Sequence, residues 1–125
     1  MILDTDVLIL LEKENAAALA WYTALTETPY IAGFAALELL NGCENAADRR
    51  RIETFLKDFT LLWPDETTLD KAAKDYGALR LSHGIGVLDM VIAATALFYG
   101  EELVTFNVRH FRAVPDLVTV QPYIR

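Results

Sequence analysis

Acidic and amide side chains occur in this sequence where apolar segments begin or end. Asp4 follows the apolar residues 1–3, and Asn107 follows the short apolar stretch 103–105. Asp89 lies at the start of a strongly apolar segment, and Glu38 lies within another. Several oxygen ligands that converge on one crevice are what a magnesium or manganese site needs. The joint pattern therefore predicts a site for a divalent cation.

Each of these side chains also has an ordinary structural explanation. An acid at a helix start accepts hydrogen bonds from free N–H groups, which applies to Asp4, Asp6 and Asp89. Asn107 is a common type of turn residue. Glu38 is either a partly exposed residue of an amphipathic helix or a buried carboxylate that must be paired, protonated or bound to a cation. Taken singly, the residues leave these alternatives open.

Short apolar strands alternate with helical segments along the chain. This alternation predicts a single α/β domain over residues 1–125, with a parallel sheet that is covered on both faces. Ligands of such sheets bind outside the carboxyl ends of the strands. The predicted strands are 1–3, 29–32, 60–63, 103–105 and 117–120, and the predicted helices are 7–11, 16–26, 34–41, 46–59, a segment from Asp65 or Thr67 to Leu81, and 88–99.

Composition limits the classes of function. The net charge of −7 over 125 residues excludes a generic affinity for nucleic acid over the whole surface, but not a local phosphate site built from carboxylates and a cation. The single cysteine, Cys43, fits a reducing compartment, and the chain opens on a core strand rather than a signal peptide, so we expect a cytoplasmic protein. No apolar stretch approaches the ~18 residues of a membrane span. The hydrophobic content of 54% predicts a surface for a partner or a second copy.

Four stretches of the chain, in this order, resemble the PIN-domain nucleases, and most closely the VapC-type toxins of bacterial toxin–antitoxin pairs. Each motif is weak alone, but the set spans nearly the whole chain. The stretches are 3–9 (LDTDVLI), 37–42 (LELLNG), 88–96 (LDMVIAATA) and 103–111 (LVTFNVRHF).

The resemblance implies a three-layer α/β/α sandwich with a five-stranded parallel sheet and an acidic pocket at the strand ends. From their positions in these stretches, Asp4, Glu38 and Asp89 correspond to the family's acids that bind Mg2+ or Mn2+. Asn107 stands where many members have a fourth Asp. Asn107 can still ligate through its amide oxygen but carries no charge, so a second metal is expected to bind more weakly than it would with Asp.

Two further residues are placed near the pocket by the same comparison. Thr105 matches a threonine close to the acids. Asp6 stands where the family usually has Asn, so it adds a carboxylate to this chain's pocket.

The activity implied is metal-assisted hydrolysis of RNA phosphodiesters, which leaves a 3′-hydroxyl and a 5′-phosphate. The resemblance also implies a homodimer and a small VapB-like antitoxin that covers the active site, with residues 7–26 and 34–59 as the expected groove.

The remaining polar side chains give weaker predictions. Arg80, Arg109 and Arg112 lie nearest the predicted rim of the crevice and are candidates for contact with RNA. The run of arginines at 49–51 is expected to be a solvated helix face, with RNA contact as the less favoured alternative. His83 and His110 lack zinc-ligand spacing with Cys43, so both are expected to be loop residues.

Two other functions remain open from the sequence. One is a PIN-like binding module without turnover, which the uncharged Asn107 permits. The other is a phosphatase of HAD type, because Asp4-Thr5-Asp6 after a strand is similar to the opening of that family. The required later lysine is not evident, since the lysines fall on predicted helices or in a polar break. A receiver-like signalling domain fits less well, because an apolar helix begins at Asp89.

Overall fold

A computed structural model describes residues 1–125 as one α/β unit in which a parallel sheet of five strands is combined with six helices. This confirms the predicted fold class. The strands are β1 (Ile2–Leu3), β2 (Tyr30–Ala32), β3 (Leu61–Leu62), β4 (Leu103–Val104) and β5 (Thr119–Val120). The helices are α1 (Thr5–Glu12), α2 (Ala16–Thr23), α3 (Gly33–Asn41), α4 (Ala46–Leu56), α5 (Glu66–His83) and α6 (Val87–Tyr99).

The strand order β3-β2-β1-β4-β5 creates a reversal point beside β1. The chain steps from β1 to β2 to β3 in one direction, and then crosses back to place β4 on the other side of β1. Because the connections between parallel strands are right-handed, connections that run in opposite directions along the sheet place their helices on opposite faces. The result is a sheet between two layers of helices. In open α/β sheets the ligand crevice lies at this reversal point. The carboxyl ends of β1 and β4 are therefore the expected location of a site.

The apolar core is centred on β1, β2 and β4. Ile2, Leu3, Ile31, Leu103 and Val104 are completely buried, whereas the edge strands β3 and β5 are only partly covered. Continuous burial of consecutive residues is typical of strands with helices on both faces. No helix has the combination of length and apolar character that a membrane span requires.

The helix boundaries differ from the prediction where local hydrogen bonds decide them. α1 begins at Thr5 rather than at Val7, because the Asp4 carboxylate accepts a bond of 2.8 Å from the Thr5 backbone N–H. α2 ends at Thr23 and α4 at Leu56, each three residues earlier than predicted. The segment expected as a turn after Asn107 is a 3-10 helix, Val108–Phe111.

Gly33, the first residue of α3, lies directly against the indole of Trp63 after β3. A Cβ atom at this position would approach three ring atoms to 2.1–2.4 Å. The indole in turn packs edge-on against Phe34, with ring centroids 5.2 Å apart. The missing side chain at Gly33 thus lets the start of α3, the helix that carries Glu38, lie close to the segment after β3.

We expect Gly33→Ala to lower the free energy of unfolding by about 1–3 kcal/mol, because the indole must leave its packed position. Gly77→Ala is the matched control, since Gly77 lies inside α5 and an added methyl group would meet no atom within 4 Å. That change should stabilise by about 0.5–1 kcal/mol. Urea denaturation of the two variants measures both changes in the free energy of unfolding. Changes of equal size and sign would contradict the inference that Gly33 is needed for the packing of Trp63.

Candidate active site

The predicted oxygen ligands meet in one cavity at the reversal point of the sheet. Asp4 follows β1, Asn107 follows β4, Glu38 comes from α3 and Asp89 from the first turn of α6. All four line a cavity of about 540 Å³, and Asp6 lines it as well. Residues from opposite ends of the sequence therefore share one pocket.

Asp4 is the most buried acid of the cavity, with an exposure of 5%. Its backbone N–H donates to the Val104 carbonyl at 2.9 Å, which extends the pairing of β1 with β4. Its Oδ1 accepts from the Thr5 N–H, and its Oδ2 accepts from the Thr105 hydroxyl at 2.8 Å. Asp4 therefore caps α1 and belongs to the cavity at the same time, so the two interpretations of this residue are compatible.

Thr105 holds the acids that follow β1 against the end of β4. Its side chain is completely buried, and its hydroxyl lies 2.8 Å from Asp4 Oδ2 and 3.4 Å from Asp6 Oδ2. The same oxygen accepts from the Asn107 backbone N–H at 3.0 Å. Thr105 thus connects three of the residues that line the cavity.

Asp6 carries an unpaired carboxylate oxygen. Its Oδ2 accepts from the Phe106 backbone N–H at 3.0 Å, whereas its Oδ1 is buried without a hydrogen-bond partner. A buried polar atom without a partner is costly and calls for an explanation. The missing compensation is what a cation in this cavity would supply.

Glu38 and Asn107 are the less buried ligands. Glu38 is half-buried on α3, which settles the alternative left open by the sequence in favour of a partly exposed residue that nevertheless lines the cavity. Asn107 is exposed at the start of the 3-10 helix. Neither side chain makes a hydrogen bond within the protein, so their oxygens remain available.

Asp89 does not cap its helix. α6 starts after Gly86, and no side chain accepts from its first N–H groups. Instead, Asp89 Oδ2 lies 2.8 Å from His110 Nε2, and the two side chains are 29% and 30% exposed. The capping explanation, which is the more common one for an acid at a helix start, is therefore not what the structure shows.

Burial raises the pKa of Asp4 to about 7 from an ordinary 3.8, and the neighbouring Asp6 carboxylate adds to the rise. Hydrogen bonds from Thr105 and Thr5 offset only part of it. Burial also raises the pKa of Asp6, against the opposing bond from the Phe106 N–H. Two neighbouring acids whose pKa values are both raised mark a site that lacks positive charge.

The residues present fit a divalent cation in chemical type. The ligands are carboxylates and an amide oxygen, which Mg2+ and Mn2+ prefer, and Asp6 Oδ1 is an uncompensated buried acceptor. No three of the chain's acidic, histidine or cysteine side chains are already grouped around one point. In this structure the side chains are therefore not already arranged around a common point for a cation.

The cavity is also lined by two cationic side chains that the sequence pattern did not single out. Lys13 follows α1, and Arg51 projects from α4 into the cavity lining. The Arg51 guanidinium donates to Glu12 at 2.6 Å and to Asp48 at 3.1 Å. The triple arginine in the sequence did not indicate which of its members faces the cavity, because that depends on how α4 packs against α3.

The three arginines predicted at the rim are exposed, and none of them lines the cavity. Arg109 and Arg112 lie in or next to the 3-10 helix that follows Asn107. Arg80 is near the end of α5, where it donates to the Gly84 carbonyl at 2.9 Å. A further cation, Arg125, lies 4.1 Å above the Phe106 ring. Its positive charge lowers the pKa of Asp6, but burial raises that pKa by more.

Comparison with known proteins agrees with this geometry. The family model of the PIN domain matches residues 1–117, so the chain belongs to the PIN-domain family. Within that family it belongs with the VapC group: it is similar to "Ribonuclease VapC" of Rickettsia bellii, with 30% identity, 94% of this chain and 92% of the relative covered. The HAD-type and receiver-like alternatives are thereby overturned.

Solved structures share the fold over nearly the whole chain. The DNA-bound VapBC of Salmonella typhimurium superposes with a TM-score of 0.81 at 23% identity, with 98% of this chain and 97% of that chain covered. VapBC-1 from nontypeable Haemophilus influenzae gives a TM-score of 0.77 at 25% identity, with 97% and 96% covered. These likenesses confirm the α/β/α sandwich.

The raised pKa of Asp4 predicts how the stability of the metal-free protein depends on pH. An acid whose pKa is higher in the folded state binds its proton more tightly there, so folding loses stability as the pH rises from about 3.8 toward about 7. A rise of this size corresponds to roughly 4 kcal/mol for Asp4. Asp4→Asn cannot ionise and should be the less pH-sensitive protein across this range.

Urea unfolding in EDTA at several pH values between about 3 and 8, a range that brackets both pKa values, measures this difference. Both proteins share all other titrating groups, so the difference between their slopes reports the titration of Asp4 together with its electrostatic coupling to Asp6. Parallel curves for the wild type and Asp4→Asn would mean that Asp4 titrates normally.

Proposed function

We propose that this protein is a metal-dependent endoribonuclease of the VapC type, which hydrolyses RNA phosphodiesters and is neutralised by a small VapB-like antitoxin. The observation that carries the proposal is the cavity in which Asp4, Asp6, Glu38, Asp89 and Asn107 converge at the reversal point of the sheet. Membership of the PIN-domain family and similarity to a VapC ribonuclease support it.

Asp4, Glu38, Asp89 and Asn107 are the proposed ligands of Mg2+ or Mn2+. When bound, the cation supplies positive charge beside the phosphodiester and makes water a stronger nucleophile near neutral pH. Asp4 is held rigidly by Thr5 and Thr105, so its carboxylate is oriented before the cation arrives. Glu38 and Asn107 have no protein partners to break.

Asp6 and Thr105 support this set of ligands. Thr105 orients Asp4, and Asp6 adds a carboxylate that offsets the lack of charge on Asn107. A phosphodiester placed at this cation would be oriented for in-line attack, which leaves a 3′-hydroxyl and a 5′-phosphate.

The RNA backbone is proposed to contact exposed arginines that follow Asn107 in the chain. Arg109 and Arg112 are exposed and follow Asn107 closely in the chain, which favours them over Arg80. Local cations of this kind are necessary because the protein as a whole carries a charge of −7.

A homodimer and an antitoxin complex would cover the exposed apolar side chains. Leu97 and Phe98 of α6 border a groove of about 460 Å³ between α5 and α6, and Ile9 and Leu37 are exposed on α1 and α3. Apolar patches of this kind on a small protein mark interaction surfaces. The cavity itself opens between α1, α3 and α4, within the segments 7–26 and 34–59 expected to receive the antitoxin.

Cleavage of a mixed RNA pool should require Mg2+ or Mn2+ and should leave 5′-phosphate ends. Asp89→Asn is expected to lower the rate by a factor of about 100 or more, because a charged ligand becomes neutral. Asp70→Asn, on the exposed face of α5, is the matched control and should cut like the wild type. Gel analysis with end-group labelling reports both the rate and the chemistry.

Cutting that survives both EDTA and Asp89→Asn would contradict the proposed site. Binding of Mn2+ without cutting of any RNA in the pool would favour a narrow substrate. A protein that neither binds Mn2+ nor cuts would instead be the inert binding module.

Arg109→Ala and Arg112→Ala should weaken RNA binding at all sequences. Each should also reduce the salt dependence of binding by about one unit of the log–log slope, because one phosphate fewer is neutralised. Fluorescence anisotropy with a labelled RNA at several salt concentrations measures both quantities. Arg49→Ala, whose side chain only pairs with Glu53 on the surface, is the control. Unchanged slopes for Arg109 and Arg112 would remove them from the interface.

Light scattering at micromolar concentration should give twice the mass of one chain, and addition of a cognate VapB-type antitoxin should form a complex that no longer cuts RNA. A monomer that keeps its activity in the presence of that protein would overturn the proposed assembly.

A further inference from the structure

We propose that His110 is a positioning residue for Asp89: its imidazole N–H holds one carboxylate oxygen and thereby sets the affinity of the cavity for a divalent cation. The inference rests on the proposed function of that cavity, and it concerns a residue that the sequence predicts to be an ordinary loop residue. His110 does not line the cavity, so it acts through Asp89 rather than on the substrate.

The geometry assigns the roles of donor and acceptor. His110 Nε2 lies 2.8 Å from Asp89 Oδ2, which is hydrogen-bond distance, and an ionised carboxylate can only accept. We therefore assign the imidazole hydrogen to Nε2, the tautomer that matches a contact of this length with a carboxylate. Asp89 Oδ1 has no protein partner and is not buried, so it remains accessible as a ligand. One oxygen is held while the other stays available.

The 3-10 helix explains why this histidine reaches Asp89. In a 3-10 helix, residues three positions apart lie above one another, so His110 is aligned with Asn107, the residue that precedes the helix. The His110 backbone N–H also donates to the Asn107 carbonyl at 2.9 Å. The proposed amide ligand and the histidine are thus on one side of the same short turn.

The turn is anchored by the next residue. Phe111 is 2% exposed and packs in the core, and its ring meets the His110 ring edge-on with centroids 5.9 Å apart. The backbone position of His110 is therefore held by core packing, independently of Asp89. A histidine whose position is set in this way can restrain the carboxylate, rather than only follow it.

A purely structural ion pair predicts a different outcome. Both side chains are nearly one-third exposed, and pairs of that kind add little to stability. Removal of the imidazole should therefore leave the unfolding midpoint nearly unchanged. Loss of a hydrogen-bond partner of a metal ligand, in contrast, typically costs about 10–100-fold in metal affinity.

The test is Mn2+ binding, measured by the loss of the free-ion signal in electron paramagnetic resonance, together with the thermal unfolding midpoint. We expect His110→Ala to weaken binding about 10-fold or more. His110→Gln, whose amide N–H can reach the same oxygen, should restore most of the affinity. The chain has one other histidine, His83, at the end of α5 beside Ser82, and His83→Ala should bind like the wild type.

Nuclear magnetic resonance of the unaltered protein gives an answer even if His110→Ala fails to fold. With 15N-labelled histidine, His110 should carry its proton on Nε2, and saturating Mg2+ should shift its ring signals while those of His83 stay in place.

Three results would overturn the inference. They are wild-type affinity in His110→Ala, weak binding in both His110 variants with an equal loss of thermal stability, and His110 signals that do not respond to bound Mg2+. Failure of the wild type itself to bind Mn2+ would overturn the proposed function and the inference with it, so the two failures are distinguishable.

Discussion

The structure depends on the burial of one carboxylate, that of Asp4, between the ends of β1 and β4. Burial of an acid is unfavourable, and here the neighbouring Asp6 makes it more so. Three hydrogen bonds compensate in part: the Asp4 backbone N–H to β4, and the bonds from the Thr5 N–H and the Thr105 hydroxyl to the carboxylate. The bond from the Asp4 N–H to β4 and the bond from Thr105 form only when β1 and β4 are paired in their observed register. The pairing of the central strands therefore also determines the geometry of the site.

The buried carboxylates of Asp4 and Asp6 lower the stability of the folded protein, because their charges are not compensated. Asp6 Oδ1 has no partner, and no lysine or arginine forms an ion pair with Asp4 or Asp6. A ligand that binds only the folded state stabilises that state by mass action. The cation of the proposed function would therefore have two effects, since it would supply the chemistry of the site and relieve the repulsion between the buried carboxylates. Local conflicts of this kind are expected at functional sites.

The fold and the positions of the acids at the ends of apolar segments were predictable, because local sequence patterns indicate both. Buried pairs such as Ile2–Leu3 and Leu103–Val104 show as apolar runs, and Asp4 and Asn107 follow those runs closely. The role of His110 was not predictable, because its contact with Asp89 joins residues from two elements whose distance depends on tertiary packing. The orientation of Arg51 was hidden for the same reason: three successive arginines look alike in sequence, and only the packing of α4 on α3 brings one of them to the cavity.

The cavity lining contains more acidic than basic side chains. The four carboxylates of Asp4, Asp6, Glu38 and Asp89 repel phosphate until a cation is present. Arg51 is already paired with Glu12 and Asp48, which leaves Lys13 as the cationic side chain of the lining that pairs with no carboxylate. Within the cavity lining, attraction for a phosphate therefore has only one unpaired cationic side chain to draw on. In the proposed function, a divalent cation would therefore serve RNA binding as well as the reaction, because it would make this acidic cluster a place where a phosphate can be held.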